Sequence, residues 1–393
     1  MSTAYLNALG LICPLGAGKA AVAEALFAGA ADALRAEPGW IPGAAPPMGV
    51  VRAALPAIPA AVADGCDNRC NRLLLAAAQE IETDVRTAIT RYGAERLGVV
   101  IGSSTGGIEE GTAALAAQRR GGAWPADYRY AQQELAGPAQ FLAEWLQLHG
   151  PCYTISTACT AGARALISAR RLLEGGVCDA VLCGGVDTLA RLPLNGFHAL
   201  GAMDGVPNRP FAADRAGINI GEAAALFLMT REPGPVALEG VGASSDAHHM
   251  SAPDPTGAGA IAAMQAALRD AGLVPAQIDY LNLHGTATAH NDAMEALAVA
   301  AVFPEGVPCS STKALTGHTL AAAGALEAAF CWLSLVDGRL PPQKDGGALD
   351  PALPALRFVE AGARLSTGRP RHLMSSSFAF GGNNACLILG DAP

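Results

Sequence analysis

Three residues of this 393-residue chain combine a reactive side chain with a local setting suited to nucleophilic and acid/base chemistry: Cys159, His284 and His318. Cys159 follows the apolar run CYTIST, and the pattern predicts that a helix of residues 159–174 begins at it. Amides at a helix start stabilise negative charge, so we expect a lowered thiol pKa, a nucleophilic thiolate and amides free to bind an oxyanion. For the other nine cysteines, the role of a small buried hydrophobe is favoured.

The two histidines follow apolar stretches that end in turns. His284 ends the predicted strand IDYLNLHG, beside the hydroxyls of Thr286 and Thr288, a position that presents an acid/base group to a ligand. His318 is predicted to open an apolar helix of residues 317–336, where nearby amides favour the neutral imidazole. A neutral imidazole can donate a hydrogen bond to a carbonyl oxygen.

Two further motifs support this site. Lys313 is hard to bury without a partner, and Glu327 in the following helix is the candidate. The segment SSSFAFGGNN places Phe378 and Phe380 before a Gly-Gly turn between two predicted strands. Because glycines allow the backbone to approach a substrate closely, the N–H of Phe380 could complete an oxyanion hole.

The elements that must position these residues follow an α/β pattern. Strands rich in β-branched residues alternate with small-residue helices, which predicts parallel strands joined by helical crossovers. The clearest predicted elements are a helix at 69–91 and strands at 97–104, 152–157 and 179–185. The same pattern recurs after residue 235, which predicts two similar halves, 1–234 and 235–393.

The composition argues against several classes of function. A net charge of −9 argues against a general nucleic-acid binder. The ten cysteines lie mostly in apolar runs, which indicates reduced thiols in a cytoplasmic protein, and the pair Cys66 and Cys70 lacks the spacing of a zinc site. No signal peptide is predicted, and we expect no segment with the roughly 18 apolar residues of a membrane span.

Four motifs together identify a family. In their order and intervals, TACTAG, HGTAT, STKALTGH and SFAFGGNN resemble the type II β-ketoacyl-[acyl-carrier-protein] synthases, and segments 208–228 and 244–253 resemble them too. The segments SSDAHHM and GFHAL are similar to the synthases of aryl polyene pathways. The resemblance implies a thiolase-like, five-layered α/β/α/β/α fold built from two similar halves, and a dimer.

The resemblance also implies a reaction. Cys159 would take an acyl chain from the phosphopantetheine of an acyl carrier protein. His284 and His318 would stabilise the enolate formed when malonyl-carrier protein loses CO₂, and attack on the acyl-enzyme would lengthen the chain by two carbons. The amides of Cys159 and Phe380 would form the oxyanion hole, and no metal or other cofactor is implied.

Supporting roles carry over by the same resemblance. Thr286 and Thr288 match residues that bind the pantetheine arm, whereas Lys313, Glu327 and Asp246 match residues that order the histidines. The acyl-chain pocket would include Phe378 and, across a dimer interface, Thr105. Carrier proteins are acidic, and three arginines match the positions that dock them: Arg69, Arg72 and Arg209.

Some alternatives stay open. Ala379 stands where the family usually has glycine, and its methyl group restricts the backbone of this loop. A thiolase acting on coenzyme A thioesters would need a second cysteine, and a catalytically silent chain-length subunit would lack the nucleophile. The sequence does not separate a homodimer from a heterodimer with a related synthase or chain-length subunit.

Overall fold

The computed structural model describes residues 4–29, 32–344 and 348–392, which fold into α-helices and β-strands with short 3-10 turns between them. The strands of the first half are β1 Ala4–Cys13, β2 Gly16–Ala17, β3 Leu34–Ala36, β4 Pro47–Gly49, β5 Leu97–Gly102, β6 Cys152–Ile155, β7 Ala180–Asp187 and β8 Ala223–Thr230. Those of the second half are β9 Val236–Ser245, β10 Tyr280–Asn282, β11 Pro308–Ser310, β12 Arg357–Phe358, β13 His372–Ala379 and β14 Asn383–Asp391.

The helices alternate with these strands, as the sequence pattern predicts. The helices of the first half are α1 Lys19–Phe27, α2 Arg69–Glu80, α3 Glu82–Tyr92, α4 Ile108–Gly121, α5 Gly137–Leu146, α6 Ala161–Glu174 and α7 Arg191–Ala199. Those of the second half are α8 Ala258–Ala271, α9 Ala289–Val302, α10 Lys313–Thr316 and α11 Ala323–Asp337.

The large sheet repeats one strand order. Its path is β12-β11-β10-β13-β14-β9-β1-β8-β7-β5-β6, with β2 paired to β1. Starting from β1, the order β1-β8-β7-β5-β6 has two antiparallel and then two parallel pairings. Starting from β9, the order β9-β14-β13-β10-β11 repeats that series. The repeated order makes α6, which follows β6, the counterpart of α11, which follows β11.

Helices cover the two half-sheets in layers. α6 and α11 pack against each other and against strands of both halves, with one apolar core around them. α2 and α5 pack on the far side of the first half-sheet, and α8 and α9 on the far side of the second. The predicted α/β/α/β/α layering is therefore confirmed.

The central helix α11 is unusually apolar, and its residues from Ala323 to Leu335 are all buried. By length and composition alone, the stretch Leu320–Asp337 could cross a membrane, although it includes the charged residue Glu327. Of that stretch, 89% is buried inside the protein, as in the core helix of a soluble protein.

Three predicted helix boundaries are wrong. The helix expected at 69–91 is two helices that break at Ile81, whose φ of −117° is not helical. The helix expected from Cys159 begins at Ala161, because Ala158 takes a φ of 51° and turns the chain first. The helix expected from Gly317 begins at Ala323, after the separate turns of α10 and the 3-10 segment Leu320–Ala322.

Candidate active site

Cys159 lies in the tight turn between β6 and α6. Ala158 has a left-handed backbone, φ 51°, and this turn places the cysteine two residues before the first residue of the helix. The side chain is 7% exposed, and its Sγ lies 3.0 Å from Nε2 of His318. The turn therefore presents the thiol directly to an imidazole.

The pKa of the Cys159 thiol moves opposite to the direction expected from the sequence. Burial raises it to about 12, while the positive charge of Lys313 and the residue's own amide lower it by less. The free energy lost when a thiolate is removed from water exceeds the free energy gained from these contacts. Burial therefore favours a neutral thiol beside the imidazole, in contrast to the lowered pKa expected from the sequence.

His284 follows β10 and is held by its backbone. Its N–H and that of Gly285 each donate to the Glu295 carboxylate, at 2.7 Å. Its Nδ1 lies 3.3 Å from Nζ of Lys313. An ammonium group can only donate, so Nδ1 accepts and the ring proton lies on Nε2. Burial lowers the pKa of His284 well below its usual value, followed by the charges of Lys313 and His318, which keeps the ring neutral.

His318 lies in the turn between α10 and the 3-10 segment. Its backbone N–H donates to the carbonyl of Asn219 at 2.7 Å, and its carbonyl accepts from the N–H of Gly221 at 2.9 Å. The ring meets that of His284 edge-on, with centroids 5.2 Å apart. Burial, and then Lys313, lowers the pKa of His318 well below its usual value. The neutral form expected from the sequence is present, but burial and not a helix start is its main cause.

Lys313 and Glu327 form an ion pair beneath the histidines. Lys313 begins α10, Glu327 lies in α11, and their side chains are 1% and 3% exposed. Burial raises the pKa of Glu327 to about 7, against the opposing effect of the Lys313 charge. The sequence-based pairing of these two residues is thus present in the fold.

A cavity of about 510 Å³ opens onto the cysteine and both histidines. Other residues selected from the sequence also line it: Asp246, Thr286, Thr288, Phe378 and Phe380. Sequence reasoning did not select Phe197, Leu200 or His249, which lie on its wall within the quoted segments GFHAL and SSDAHHM. Phe197 contacts Phe380 with ring centroids 5.4 Å apart, so α7 reaches the Gly-Gly turn.

The three central side chains could also hold a metal ion. One ligand atom from each of Cys159, His284 and His318 lies within 4.8 Å of the others. Thiolate and imidazole are ligands that zinc accepts.

Asp246 lies in the cavity wall, and its carboxylate makes no hydrogen bond to either catalytic histidine. Its carboxylate accepts from the side-chain amide of Asn384 at 2.6 Å and from the N–H of Asp254 at 3.1 Å. Its backbone N–H donates to Gly382 at 2.8 Å. In this structure Asp246 fixes the Gly-Gly turn rather than the imidazoles.

Two amides are available for the predicted oxyanion hole. In the described part of the chain, the N–H groups of Cys159 and Phe380 donate to no other backbone carbonyl. Ala379, which replaces the usual glycine, avoids the left-handed region, whereas Gly381 and Gly382 take φ values of 84° and 76°. The alanine therefore fits this loop without backbone strain.

Thr105 does not line the cavity of its own chain, and its place in a pocket across a dimer interface stays a prediction. Its hydroxyl donates to Asp187 at 2.8 Å and accepts from the N–H of Thr188 at 3.1 Å. Asp187, which sequence reasoning missed, is fully buried, and it also accepts the N–H of Ala321, three residues after His318, at 2.7 Å. A buried acid at the end of the strand AVLCGGVD was the available signal.

The three candidate docking arginines already have partners within the chain. Arg69 makes a two-pronged contact with Glu222, a residue that is 0% exposed. Arg72 pairs with Asp67 at 2.7 Å, and Arg209 pairs with Asp214 at 2.6 Å. Of the three arginines, Arg72 has the most exposed side chain, at 43%.

Comparisons with known proteins agree with this geometry. The family profile "Beta-ketoacyl synthase, N-terminal domain" matches residues 51–233, and "Beta-ketoacyl synthase, C-terminal domain" matches residues 236–346. A 3-oxoacyl-[acyl-carrier-protein] synthase 2 of Vibrio cholerae is 33% identical over 342 residues, covering 80% of each chain. A mitochondrial 3-oxoacyl-[acyl-carrier-protein] synthase of Arabidopsis thaliana is 38% identical over 263 residues, which are 61% of this chain and 56% of that protein.

A solved structure is closer still. The ketosynthase ApeO of Xenorhabdus doucetiae, in complex with its chain length factor ApeC, superposes with a TM-score of 0.94 at 48% identity. The match covers 100% of this chain and 98% of that one. Family profiles, relatives and fold agree: the chain belongs to the β-ketoacyl synthase family and is a type II 3-oxoacyl-[acyl-carrier-protein] synthase, an acyltransferase of thiolase-like fold.

Proposed function

We propose that Cys159, His284 and His318 perform the acyl transfer and the decarboxylative condensation of this synthase. The observation that supports this most directly is the 3.0 Å contact between Sγ of Cys159 and Nε2 of His318, inside a cavity shared with His284. A buried neutral thiol needs an adjacent base before it can attack, and His318 is placed to be that base.

Acyl transfer would use this contact. As Sγ of Cys159 attacks the thioester carbonyl of an acyl-carrier protein, its proton passes to Nε2 of His318. The amides of Cys159 and Phe380 stabilise the tetrahedral oxyanion. The carbon–sulfur bond to pantetheine then breaks, and the leaving thiolate takes the proton back from His318.

Condensation would use the proton on His284. Malonyl-carrier protein enters with its pantetheine along Thr286 and Thr288, and the bond to its carboxylate breaks to release CO₂. The electron pair remains as an enolate, whose oxygen accepts a hydrogen bond from Nε2–H of His284, joined by His318 when its Nε2 carries a proton. The enolate carbon attacks the carbonyl of the Cys159 thioester, the carbon–sulfur bond to Cys159 breaks, and the expelled thiolate takes up a proton from solvent.

We propose that the acyl chains are those of a polyene pathway and that the partner is a chain length factor. Support comes from the 48% identity to ApeO, which was solved with its chain length factor, and from the segments SSDAHHM and GFHAL, which resemble those of aryl polyene synthases. The second partner is an acyl carrier protein, and phosphopantetheine is the carrier group. We further propose a cytoplasmic location and two halves, 1–234 and 235–393, the latter supported by the repeated strand order.

The two alternative functions are less favoured by the site. A silent chain-length subunit has no use for a cysteine 3.0 Å from a histidine. A thiolase needs a second cysteine near the first, yet among the described residues that line the cavity Cys159 is the single cysteine. Cys386 is buried in β14 beside Ser376.

Intact-protein mass spectrometry after incubation with a panel of acyl-carrier proteins tests the proposal. We expect a mass increase equal to one acyl group, retained in Cys152→Ser, a control at an exposed cysteine, and absent in Cys159→Ala. Adding malonyl-carrier protein should discharge the acyl-enzyme. Loading of the Cys159→Ala variant at the wild-type level would overturn the assignment, and a preference for saturated chains would overturn the polyene substrate.

A further inference from the structure

A fully buried carboxylate lies beside the catalytic turns and takes no part in the proposed chemistry. Asp187 is the last residue of β7, and no ion pair neutralises it in the described part of the chain. Its partners are hydrogen-bond donors: the hydroxyls of Ser103, Ser104 and Thr105, and the backbone N–H groups of Ser104, Thr105 and Ala321. Burial raises the pKa of Asp187, and the donors of Ser104 and Thr105 lower it. A buried charge that is held by this many donors ties together the segments that supply them.

The two oxygens of this carboxylate hold different segments. Oδ1 accepts four hydrogen bonds of 2.8–3.0 Å, all from Ser103, Ser104 and Thr105 in the loop after β5. Oδ2 accepts the N–H of Ala321 at 2.7 Å and the hydroxyl of Ser104. The N–H of Ala321 donates to no backbone carbonyl in the described part of the chain. Oδ2 is therefore the attachment point of the 3-10 segment that follows His318.

The backbone of that segment is strained. Leu320 has a φ of 52°, in the left-handed region that residues other than glycine rarely adopt. Such a conformation persists only where the surrounding structure fixes it. On one side of Leu320, the backbone of His318 is anchored by its hydrogen bonds to the segment 219–221. On the other side, Ala321 is held by Asp187.

Close packing leaves the segment little room to move. A Cβ atom built at Gly185 in β7 would lie 3.0 Å from Cα of Ala322. A Cβ atom at Gly162, in the first turn of α6, would lie 2.8 Å from the carbonyl oxygen of Ala321. The segment is thus in backbone contact with β7 and with α6, the helix that follows Cys159. In this packing, a shift of the segment moves the imidazole relative to the thiol.

We infer that Asp187 is a positioning residue, which holds the turn of His318 where Nε2 of the imidazole reaches the Cys159 thiol. It acts through the N–H of Ala321 and does not line the cavity. This inference rests on the proposed function, in which His318 takes the thiol proton. A displacement of a catalytic group by about 1 Å can slow a reaction about 100-fold, so a single hydrogen bond at this place has a measurable effect on rate.

Asp187→Asn tests the tie to Ala321 selectively. The side-chain amide has nearly the shape of the carboxylate but only one acceptor oxygen. We expect that oxygen to take the place of Oδ1, where most of the donors point, and the NH₂ group to face the N–H of Ala321. Two donors repel each other, so the loop of residues 103–105 should stay in place while the turn of His318 shifts. The rate of Cys159 loading at saturating acyl-carrier protein should fall by about 10–100-fold, and KM should change by less than about twofold.

The His318→Ala background separates positioning from a general loss of structure. An interaction that acts through His318 disappears with that side chain, so Asp187→Asn should cause no further slowing of acyl loading in this background. A merely structural role would slow loading in both backgrounds. Ser103→Ala is the matched control, because it removes a donor to Oδ1 and leaves the bond to Ala321. Its loading rate should stay within about twofold of wild type.

Intact-protein mass spectrometry measures loading in all variants, and urea unfolding checks that each variant is folded. If Asp187→Asn does not fold, Asp187→Ser replaces it, since the smaller side chain leaves room for a water molecule to satisfy the donors. A folded Asp187 variant that loads at the wild-type rate would overturn the inference, as would equal slowing with and without His318 or in Ser103→Ala. A wild-type enzyme that takes no acyl group would instead overturn the proposed function, and this role with it.

Discussion

The Nζ of Lys313 lies 3.3 Å from Nδ1 of His284 and at the same time forms a buried ion pair with Glu327. One ammonium group therefore fixes the proton of His284 on Nε2 and neutralises an acid in the central layer. Its position in α10 ties the catalytic turn after β10 to the central helix α11.

Because Lys313 has both roles, we expect that a second mutation can restore stability to a Lys313 variant without restoring its activity. Lys313→Met leaves Glu327 buried without a counter-ion, which should lower the free energy of unfolding by about 3–5 kcal/mol. Adding Glu327→Leu should restore most of that stability, as measured by urea unfolding. Condensation should stay lost in both variants, because Nδ1 of His284 has no donor. If the double variant regained turnover, Lys313 would not position the histidine.

The raised pKa of Cys159 predicts an unusual alkylation profile. With a pKa of about 12, thiolate makes up roughly 10⁻⁴ of the free enzyme at pH 8. The rate of iodoacetamide addition to Cys159, followed by peptide mass spectrometry, should therefore still rise steadily from neutral pH to pH 10. A plateau below pH 8 would contradict the dominance of burial and would indicate a thiolate–imidazolium pair.

The two histidines should differ in the half-reactions that they support. His284→Ala should slow release of CO₂ from malonyl-carrier protein by about 10²–10³-fold, the usual effect of removing one oxyanion donor, and leave acyl loading intact. His318→Ala should slow both steps, because its Nε2 lies 3.0 Å from the thiol. Release of labelled CO₂ measures decarboxylation, and the mass of the intact protein measures acyl loading. An unchanged loading rate in His318→Ala would remove its role as base.

The arginines Arg69 and Arg72 should have different functions. Arg69→Ala leaves the buried Glu222 unpaired, so we expect a loss of about 2 kcal/mol or more in unfolding free energy. Arg72→Ala breaks an exposed pair and should change stability by less than about 1 kcal/mol. If Arg72 docks the carrier protein, its loss should raise KM for acyl-carrier protein without changing kcat. A raised KM in Arg69→Ala together with an unchanged KM in Arg72→Ala would make Arg69 the docking residue.

Local sequence patterns identified most of what the fold contains. Strand and helix periodicity predicted the alternation of elements, and the motifs around Cys159, His284, Lys313 and His318 selected side chains that the structure brings together. These predictions succeed because alternating burial and turn chemistry are local properties of the chain.

The tertiary structure decided the charge states in the site and the role of Asp187. The direction of the Cys159 pKa shift depends on how completely α6, α11 and the turns around the cavity exclude water, and no local motif encodes that burial. Asp187 was missed because its partners come from residues more than 80 positions away in the sequence. The sequence thus determined which reactive groups are present, and packing of distant segments determined their charge states, because desolvation is a property of the whole fold.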